Sequence, residues 1–169
     1  MLRAVHLFPV FPNAHAIELL RAKYDPLVNY IAPHVTLVFP FESVIATEDL
    51  RVHLKQSTVG LKPFRLVMTG VTGADGEYLF LNVKVGNDHI VQLHDKLYGG
   101  ILRHHLNRSL TYTPHLTVGR MNDKDAFDLA LAETEGWNEV FETTVDEFVV
   151  ENIDEHGNSL VEFKVSLLR

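Results

Sequence analysis

The chain has 169 residues, enough for one sizeable domain or for two small lobes that share a core. It contains no cysteine, which excludes a disulfide framework, a thiolate metal site and a cysteine nucleophile, and which fits a reducing compartment. The formal net charge of −7 argues against a protein that holds a long DNA duplex through many phosphate contacts, whereas a cleft for one phosphate needs only a few convergent donors.

The first half of the chain predicts strands and helices in alternation, from β-rich alternating segments and from helix caps followed by apolar spacing. We expect a strand at 2–9, a helix from the N-cap Asn13 to about Tyr24, a short strand at 35–39, a helix opened by Thr47 and a strand at 64–71. We see no secretory leader and no apolar run of the roughly 20 residues that cross a bilayer. The expected location is therefore the cytoplasm, without a membrane partner.

The second half repeats this order. A strand at 78–85 is expected to form a hairpin with the strand at 64–71 across a glycine-rich turn at 73–76. Next we expect a helix capped by Asn87 or Asp88, then a strand at 113–119, and then a helix that is capped by Asn122 or Asp123 and ends near Gly136. The chain then predicts strands at 140–151 and 160–167, joined by a turn at 156–158.

Each half reads strand, helix, short strand, helix, strand, which indicates an internal duplication of about 75–80 residues. We therefore expect a single domain, 1–169, built from two lobes related by a pseudo-twofold axis. The lobes are expected at about 1–76 and 77–169, and an exchange of terminal strands between them is compatible with the pattern.

The short strand of each half carries the same five-residue pattern, Pro-His-aliphatic-Thr-aliphatic, at 33–37 and at 114–118. Residues i and i+2 of a strand project from the same face. His34 and Thr36 are therefore expected to point one way, and so are His115 and Thr117. A pseudo-twofold axis would bring two imidazoles and two hydroxyls to one cleft.

That set of groups suits phosphoryl chemistry without a metal or another cofactor. A neutral imidazole takes a proton from water or from a ribose hydroxyl, and a protonated imidazole gives one to the leaving oxygen. The threonine hydroxyls can hold the non-bridging oxygens, and Arg120, just after the second motif, can neutralise the anion. Tyr112, with Phe39 and Phe41, lies beside the motifs, where it can stack a base or equally belong to the core or rim.

The paired motifs resemble those of the 2H phosphoesterase superfamily, and most of all its 2'-5' RNA ligase-like or RNA 2',3'-cyclic phosphodiesterase group. The family's second motif often continues to an arginine, where this chain has Arg120. The resemblance implies a bilobal α+β fold, with two mainly antiparallel sheets and flanking helices around a central cleft. It also implies metal-independent hydrolysis of 2',3'-cyclic phosphates to 2'-phosphates, with His34 and His115 as the catalytic residues.

We therefore expect a monomeric cyclic phosphodiesterase whose partner is an RNA end or a cyclic nucleotide, and for which a DNA duplex is not a substrate. Two alternatives stay open. One is a non-catalytic module that binds nucleotides or RNA ends in the same cleft. The other is a metal-dependent hydrolase that uses the histidine-rich stretch at 89–105. The sequence does not tell which imidazole is the acid and which is the base.

Overall fold

The computed structural model describes residues 1–168. Eight strands and four longer helices form the fold, and a 3₁₀ helix, Gly100–His105, precedes the fifth strand. In chain order they are β1 (Leu2–Leu7), α1 (Ala14–Tyr24), β2 (Val35–Glu42), α2 (Thr47–Ser57), β3 (Phe64–Ala74), β4 (Tyr78–Val85), α3 (Asn87–Leu97), β5 (His115–Arg120), α4 (Lys124–Glu133), β6 (Phe141–Val145), β7 (Glu147–Ile153) and β8 (Ser159–Ser166).

The strands form two four-stranded sheets with the orders β2-β1-β7-β8 and β5-β4-β3-β6. Every neighbouring pair is antiparallel, including the expected β3–β4 hairpin and the β7–β8 hairpin. The α+β class and the two antiparallel sheets with flanking helices are thus confirmed. No helix within residues 1–168 combines the length and the apolar character that crossing a membrane requires.

The two sheets are assembled alike, and their motif strands meet. β2 is the edge strand of the first sheet, β5 is the edge strand of the second, and the two edges lie against each other. Each half also lends a helix to the other, since α1 packs on β5 and α3 packs on β2. The boundary predicted near residue 76 divides the sequence repeat, whereas each sheet takes strands from both halves: β3 joins the second sheet, and β7 and β8 join the first.

One predicted strand is wrong. Residues 140–151 form two strands, β6 and β7, which belong to different sheets and are separated at Asp146. β6 pairs with β3, so that Val145 faces Phe64, and β7 pairs with β1. An unbroken β-rich pattern could not reveal this crossing, because both pieces satisfy the same local preference for extended backbone.

The predicted helix caps have different outcomes. Asn13 is the N-cap residue of α1, as predicted, but its side chain makes no capping hydrogen bond and instead donates to the Glu139 carboxylate (3.2 Å) and the Val140 carbonyl (3.0 Å). The N-cap of α3 is Gly86, whose φ of 104° suits glycine, so Asn87 is already the first helical residue. The cap of α4 is confirmed at Asp123, whose carboxylate accepts the N–H groups of residues 125 and 126.

Candidate active site

The two motif strands alternate as the sequence predicts. The four aliphatic positions are at most 1% exposed and belong to the core; they are Val35, Leu37, Leu116 and Val118. His34, Thr36, His115 and Thr117 are all partly exposed. Burial of the aliphatic side chains therefore fixes the register of each strand and turns the imidazoles and hydroxyls to the opposite face.

Both motif imidazoles are held by the same local hydrogen bond. Nδ1 of His34 lies 2.8 Å from the Ala32 carbonyl, and Nδ1 of His115 lies 2.7 Å from the Thr113 carbonyl, two residues earlier in each case. A carbonyl oxygen only accepts, so Nδ1 carries the proton in both rings. In the neutral tautomer the lone pair is then on Nε2, which leaves that atom available for proton transfer.

The neighbours of the two rings differ. In the first sheet His6 lies opposite Thr36, and its ring centroid is 4.4 Å from that of His34. In the second sheet Phe80 lies opposite Thr117 and stacks on His115, with centroids 3.5 Å apart and planes 15° from parallel. His6 and Phe80 thus occupy equivalent positions in the two lobes.

A buried carboxylate holds His6. Nδ1 of His6 lies 2.7 Å from Oε2 of Glu151 on β7, and each residue is 3% exposed. Since β1 lies between β2 and β7, the imidazole of His6 stands between His34 and the carboxylate.

The surroundings lower the pKa of both motif histidines. Burial chiefly lowers the pKa of His34 to about 3, helped by His6, Arg120 and Arg21, while the bond to the Ala32 carbonyl opposes the shift. The pKa of His115 is also lowered, by burial first and then by Arg120. The charge of Arg120 thus disfavours protonation of both motif imidazoles.

Arg120, at the end of β5, forms an ion pair with the buried Asp25 that follows α1. Arg21 bonds the same carboxylate at 2.9 Å, and its own side chain is 1% exposed. Although burial by itself would raise the pKa of Asp25, the Leu27 N–H and the charges of Arg120 and Arg21 lower it, so the carboxylate stays ionised. Glu18, 3.5 Å from the Arg21 guanidinium, balances the second positive charge, and the cluster fixes the Arg120 guanidinium at the end of the motif strand β5.

Tyr112, which lies before β5, contacts both β2 and α3. Its hydroxyl donates to the Thr36 carbonyl at 2.7 Å, its ring stacks on His94 with centroids 3.7 Å apart, and burial raises its pKa. Phe41 is 5% exposed and belongs to the core, whereas Phe39 is 37% exposed. Of these three aromatic residues, Phe39 therefore has the face most open to a planar ligand.

The histidines at 89–105 are spread over separate contacts. His89 stacks on Phe64, His94 bonds Asp95 at 2.9 Å, and His105 packs on Phe41. Within residues 1–168 no group of three or more His, Asp or Glu side chains is arranged to hold a metal ion. The metal-dependent hypothesis thus has no ligand set in the described part of the chain.

A cavity of about 610 Å³ adjoins the site on the first sheet. It includes Ala32, whose carbonyl holds His34, and Glu151, whose carboxylate holds His6. Phe8 and Tyr30 add aromatic surface to its wall.

Sequence reasoning missed His6, Glu151, Phe80 and Asp25. None of them lies in a motif, and His6 in particular is a lone histidine in a strand. One signal was present: aligning the two halves on their motif strands places His6 opposite Phe80, a polar residue against an apolar one at an otherwise equivalent position.

Comparison with known proteins identifies the family. The model of a family described as the 2'-5' RNA ligase superfamily matches residues 9–157. A Bacillus licheniformis protein named "Putative phosphoesterase" is 28% identical over 144 residues, which cover 84% of each chain. Another protein given that name, from Halalkalibacterium halodurans, is 30% identical over 124 residues, 69% of this chain and 68% of its own.

Solved structures share the fold. The crystal structure of a Thermus thermophilus protein superposes with a TM-score of 0.68 at 16% identity, covering 99% of this chain and 98% of that one. Apo LigT of E. coli superposes with a TM-score of 0.63 at 18% identity, with coverage of 99% and 98%. Both are similar to this chain over essentially its whole length.

Proposed function

Since the chain belongs to the 2'-5' RNA ligase superfamily and is thus a phosphoesterase of the 2H type, we propose that it hydrolyses 2',3'-cyclic phosphates at RNA ends or on nucleotides, without a metal ion. The observation that carries the proposal is the matched pair of imidazoles, His34 directly before β2 and His115 at the start of β5, on two edge strands that contact each other, each with Nδ1 tied to a carbonyl two residues earlier.

The proposed reaction is an in-line displacement at phosphorus. Nε2 of one motif histidine accepts a proton from water as the water oxygen bonds to phosphorus. The P–O3' ester bond breaks, and the other motif histidine, protonated at Nε2, donates its proton to the departing 3' oxygen. The product is a 2'-phosphate. The base has gained a proton and the acid has lost one, so proton exchange with solvent restores the pair.

The remaining site residues hold the anion. We assign Thr36 and Thr117 to the non-bridging oxygens, since each shares a strand face with a motif histidine. Arg120 contributes positive charge while it stays paired with Asp25. Tyr112 acts on the substrate through the Thr36 carbonyl that it holds, rather than as the stacking surface.

The choice of a nucleotide substrate is supported by size and charge. A cavity of about 610 Å³ includes Ala32, whose carbonyl holds His34, but neither motif histidine lines it; its volume falls within the roughly 300–1,000 Å³ typical of small-molecule sites. E. coli LigT, which shares the fold, has been solved with 3'-AMP and with phosphate. The net charge of −7 favours a cyclic nucleotide or a short RNA end over a long strand or a DNA duplex. We further propose a monomer that acts in the cytoplasm.

Phosphorus NMR tests the proposal directly. We expect the protein, in the presence of a strong chelator, to convert 2',3'-cyclic mononucleotides and an oligonucleotide with a cyclic phosphate end into 2'-phosphates. His34→Gln and His115→Gln should each lower kcat/KM by about 10²–10⁴-fold. The matched control His156→Gln changes an exposed histidine of the β7–β8 turn and should keep the wild-type rate.

Two results would contradict the proposal. Wild-type rates in both motif variants would remove the imidazoles from the reaction. Binding of cyclic nucleotides and RNA ends without any turnover would instead favour the non-catalytic binding module.

A further inference from the structure

The charges of this acidic protein are unevenly distributed along the chain. Residues 96–122 contain four basic residues, Lys96, Arg103, Arg108 and Arg120, and no aspartate or glutamate. This stretch has a formal charge of +4 in a chain of −7, so the remaining residues carry −11. It comprises the 3₁₀ helix, the residues that lead to β5, and β5 with the second motif. Positive charge is therefore concentrated directly before one of the two motif histidines.

Two contacts place this stretch along the first motif strand. The ring of His105 packs on Phe41 near the end of β2, with centroids 4.7 Å apart. Seven residues later, the Tyr112 hydroxyl donates to the Thr36 carbonyl near the start of β2. Residues 105–112 therefore run beside β2 from its far end back to the motif, over roughly 16 Å of strand. We call residues 101–112 the basic segment.

The two arginines of the basic segment are open to an anion. Arg103 in the 3₁₀ helix and Arg108 in the following turn are both exposed, and within residues 1–168 neither forms an ion pair. The other arginines of that range are all paired with carboxylates: Arg3, Arg21, Arg51, Arg65 and Arg120. Two carboxylates that border the segment also have partners, since Asp95 lies 2.9 Å from Nδ1 of His94 and Glu42 lies 3.7 Å from the N-terminal amine.

Apolar side chains alternate with these arginines. Ile101, Leu106 and Leu110 are all exposed, and so is Phe39 on the adjoining strand β2. Surfaces that bind single-stranded nucleic acid combine cations for the phosphates with aromatic and apolar groups for the unpaired bases. The basic segment and Phe39 have that combination.

The cavity on the first sheet has the opposite charge. Its charged lining residues are Glu18, Glu147, Glu151 and Lys164. Nζ of Lys164 lies 2.6 Å from Oε1 of Glu147 and is thus already paired. A second phosphate on this side would meet carboxylates without a compensating cation, whereas an uncharged nucleoside would not be repelled. Further phosphates of a substrate are therefore favoured only on the side of the basic segment.

We propose that the basic segment binds the two phosphates that precede the reacting nucleotide of an RNA end, with Arg108 taking the nearer one and Arg103 the next. A trinucleotide with a cyclic phosphate end is then a better substrate than a cyclic mononucleotide. This inference rests on the proposed function and deepens it, because that function does not distinguish RNA ends from nucleotides. Two guanidinium groups bind two phosphates, so the gain from added nucleotides ends at three.

Calorimetric titration with reaction products tests the surface without any turnover. The ligands are a nucleoside 2'-phosphate and the di-, tri- and tetranucleotides that end in a 2'-phosphate. Kd should fall with the first and the second added nucleotide and stay level with the third. Because each bound phosphate contributes about 0.7 to the slope of log Kd against log salt, the trinucleotide slope should exceed that of the mononucleotide by about 1.4. Its advantage should thus shrink about sevenfold between about 50 and 200 mM salt. Equal slopes for the two ligands would overturn the inference.

A double variant tests the two arginines. Arg103→Gln/Arg108→Gln should bring the Kd and the salt slope of the trinucleotide to those of the nucleoside 2'-phosphate, whose own binding should stay as in the wild type. The matched control Lys62→Gln/Lys124→Gln removes the same charge from two exposed lysines, one before β3 and one at the start of α4, and should keep the full trinucleotide slope. An equal loss of slope in the control would make the effect one of overall charge and refute the inference.

Turnover separates this inference from the proposed function. In the wild type kcat/KM should be higher for the trinucleotide with a cyclic phosphate end than for the cyclic mononucleotide, and the double variant should lose that preference. Equal kcat/KM for both substrates would refute the inference, keep the proposed function and leave the basic segment to another partner, such as an acidic protein. Trinucleotide binding with the expected salt slope, but no turnover of any cyclic phosphate, would refute the proposed function and keep the basic segment as an RNA-binding surface.

Discussion

Replacing His34 by Gln should make the protein less sensitive to acid. The His34 imidazole has a pKa of 6.5 in the unfolded chain and of about 3 in the folded protein. The unfolded chain therefore binds a proton at His34 that the folded protein rejects. This difference is absent well above pH 6.5 and destabilises the fold progressively as the pH falls below that value.

The two pKa values set the size of the effect. Between pH 7.5 and pH 5, a histidine with these values lowers the free energy of unfolding by about 2 kcal/mol. Because the ring is partly exposed, solvent reduces its interactions with Arg120, Arg21 and His6, and we expect about 1–2 kcal/mol. In a chain of this length that corresponds to roughly 2–8 °C in Tm.

Urea unfolding at several pH values measures this quantity. The single tryptophan, Trp137, stacks on Phe141 in the second lobe and reports the transition by fluorescence. The loss of stability between pH 7.5 and pH 5 should be about 1–2 kcal/mol smaller in His34→Gln than in the wild type. The control His156→Gln, at an exposed turn, should follow the wild type. Identical pH dependence in wild type and His34→Gln would refute the account of the site's electrostatics.

Two further predictions concern the scaffold. Arg3 is fully buried and donates to both oxygens of Glu162, at 2.8 and 2.7 Å, and also to Ser43 Oγ, the Ile45 carbonyl and Thr47 Oγ1. Arg3→Met should lower the free energy of unfolding by about 3–5 kcal/mol, because it leaves the Glu162 carboxylate without its charged partner. Arg3→Met/Glu162→Leu removes that charge and should recover part of the loss but not all of it, because the other three acceptors stay unpaired. Urea unfolding measures both changes, and a double variant as unstable as the single one would contradict the reasoning. A Cβ at Gly119 would lie 3.0 Å from the Cβ of Tyr24, which is fixed to the backbone of α1, so Gly119→Ala should cost about 1–3 kcal/mol and also lower kcat/KM by loosening Arg120. An unchanged Tm in Gly119→Ala would contradict this prediction, because it would show that α1 moves to accommodate the added methyl group without cost.

Local patterns were enough to find most elements, because alternation and helix caps depend on neighbours in the chain. β4 and the Asp123 cap of α4 follow the expected positions. The break between β6 and β7 at Asp146 could not be predicted from local patterns. It exists because β6 pairs with β3 and β7 pairs with β1, and both partners are far away in the sequence. The packing of α1 on β5 and of α3 on β2 could not be predicted for the same reason, since each contact joins segments far apart in the sequence.

The same division applies to the site. The two motifs and the faces of His34 and His115 can be read from neighbouring residues, because a strand's side chains alternate whatever surrounds it. The neighbours of each imidazole cannot: a histidine tied to Glu151 lies beside His34, and Phe80 lies on His115. A pKa depends on the charges and burial within a few ångströms, and at this site those come from strands and a helix distant along the chain.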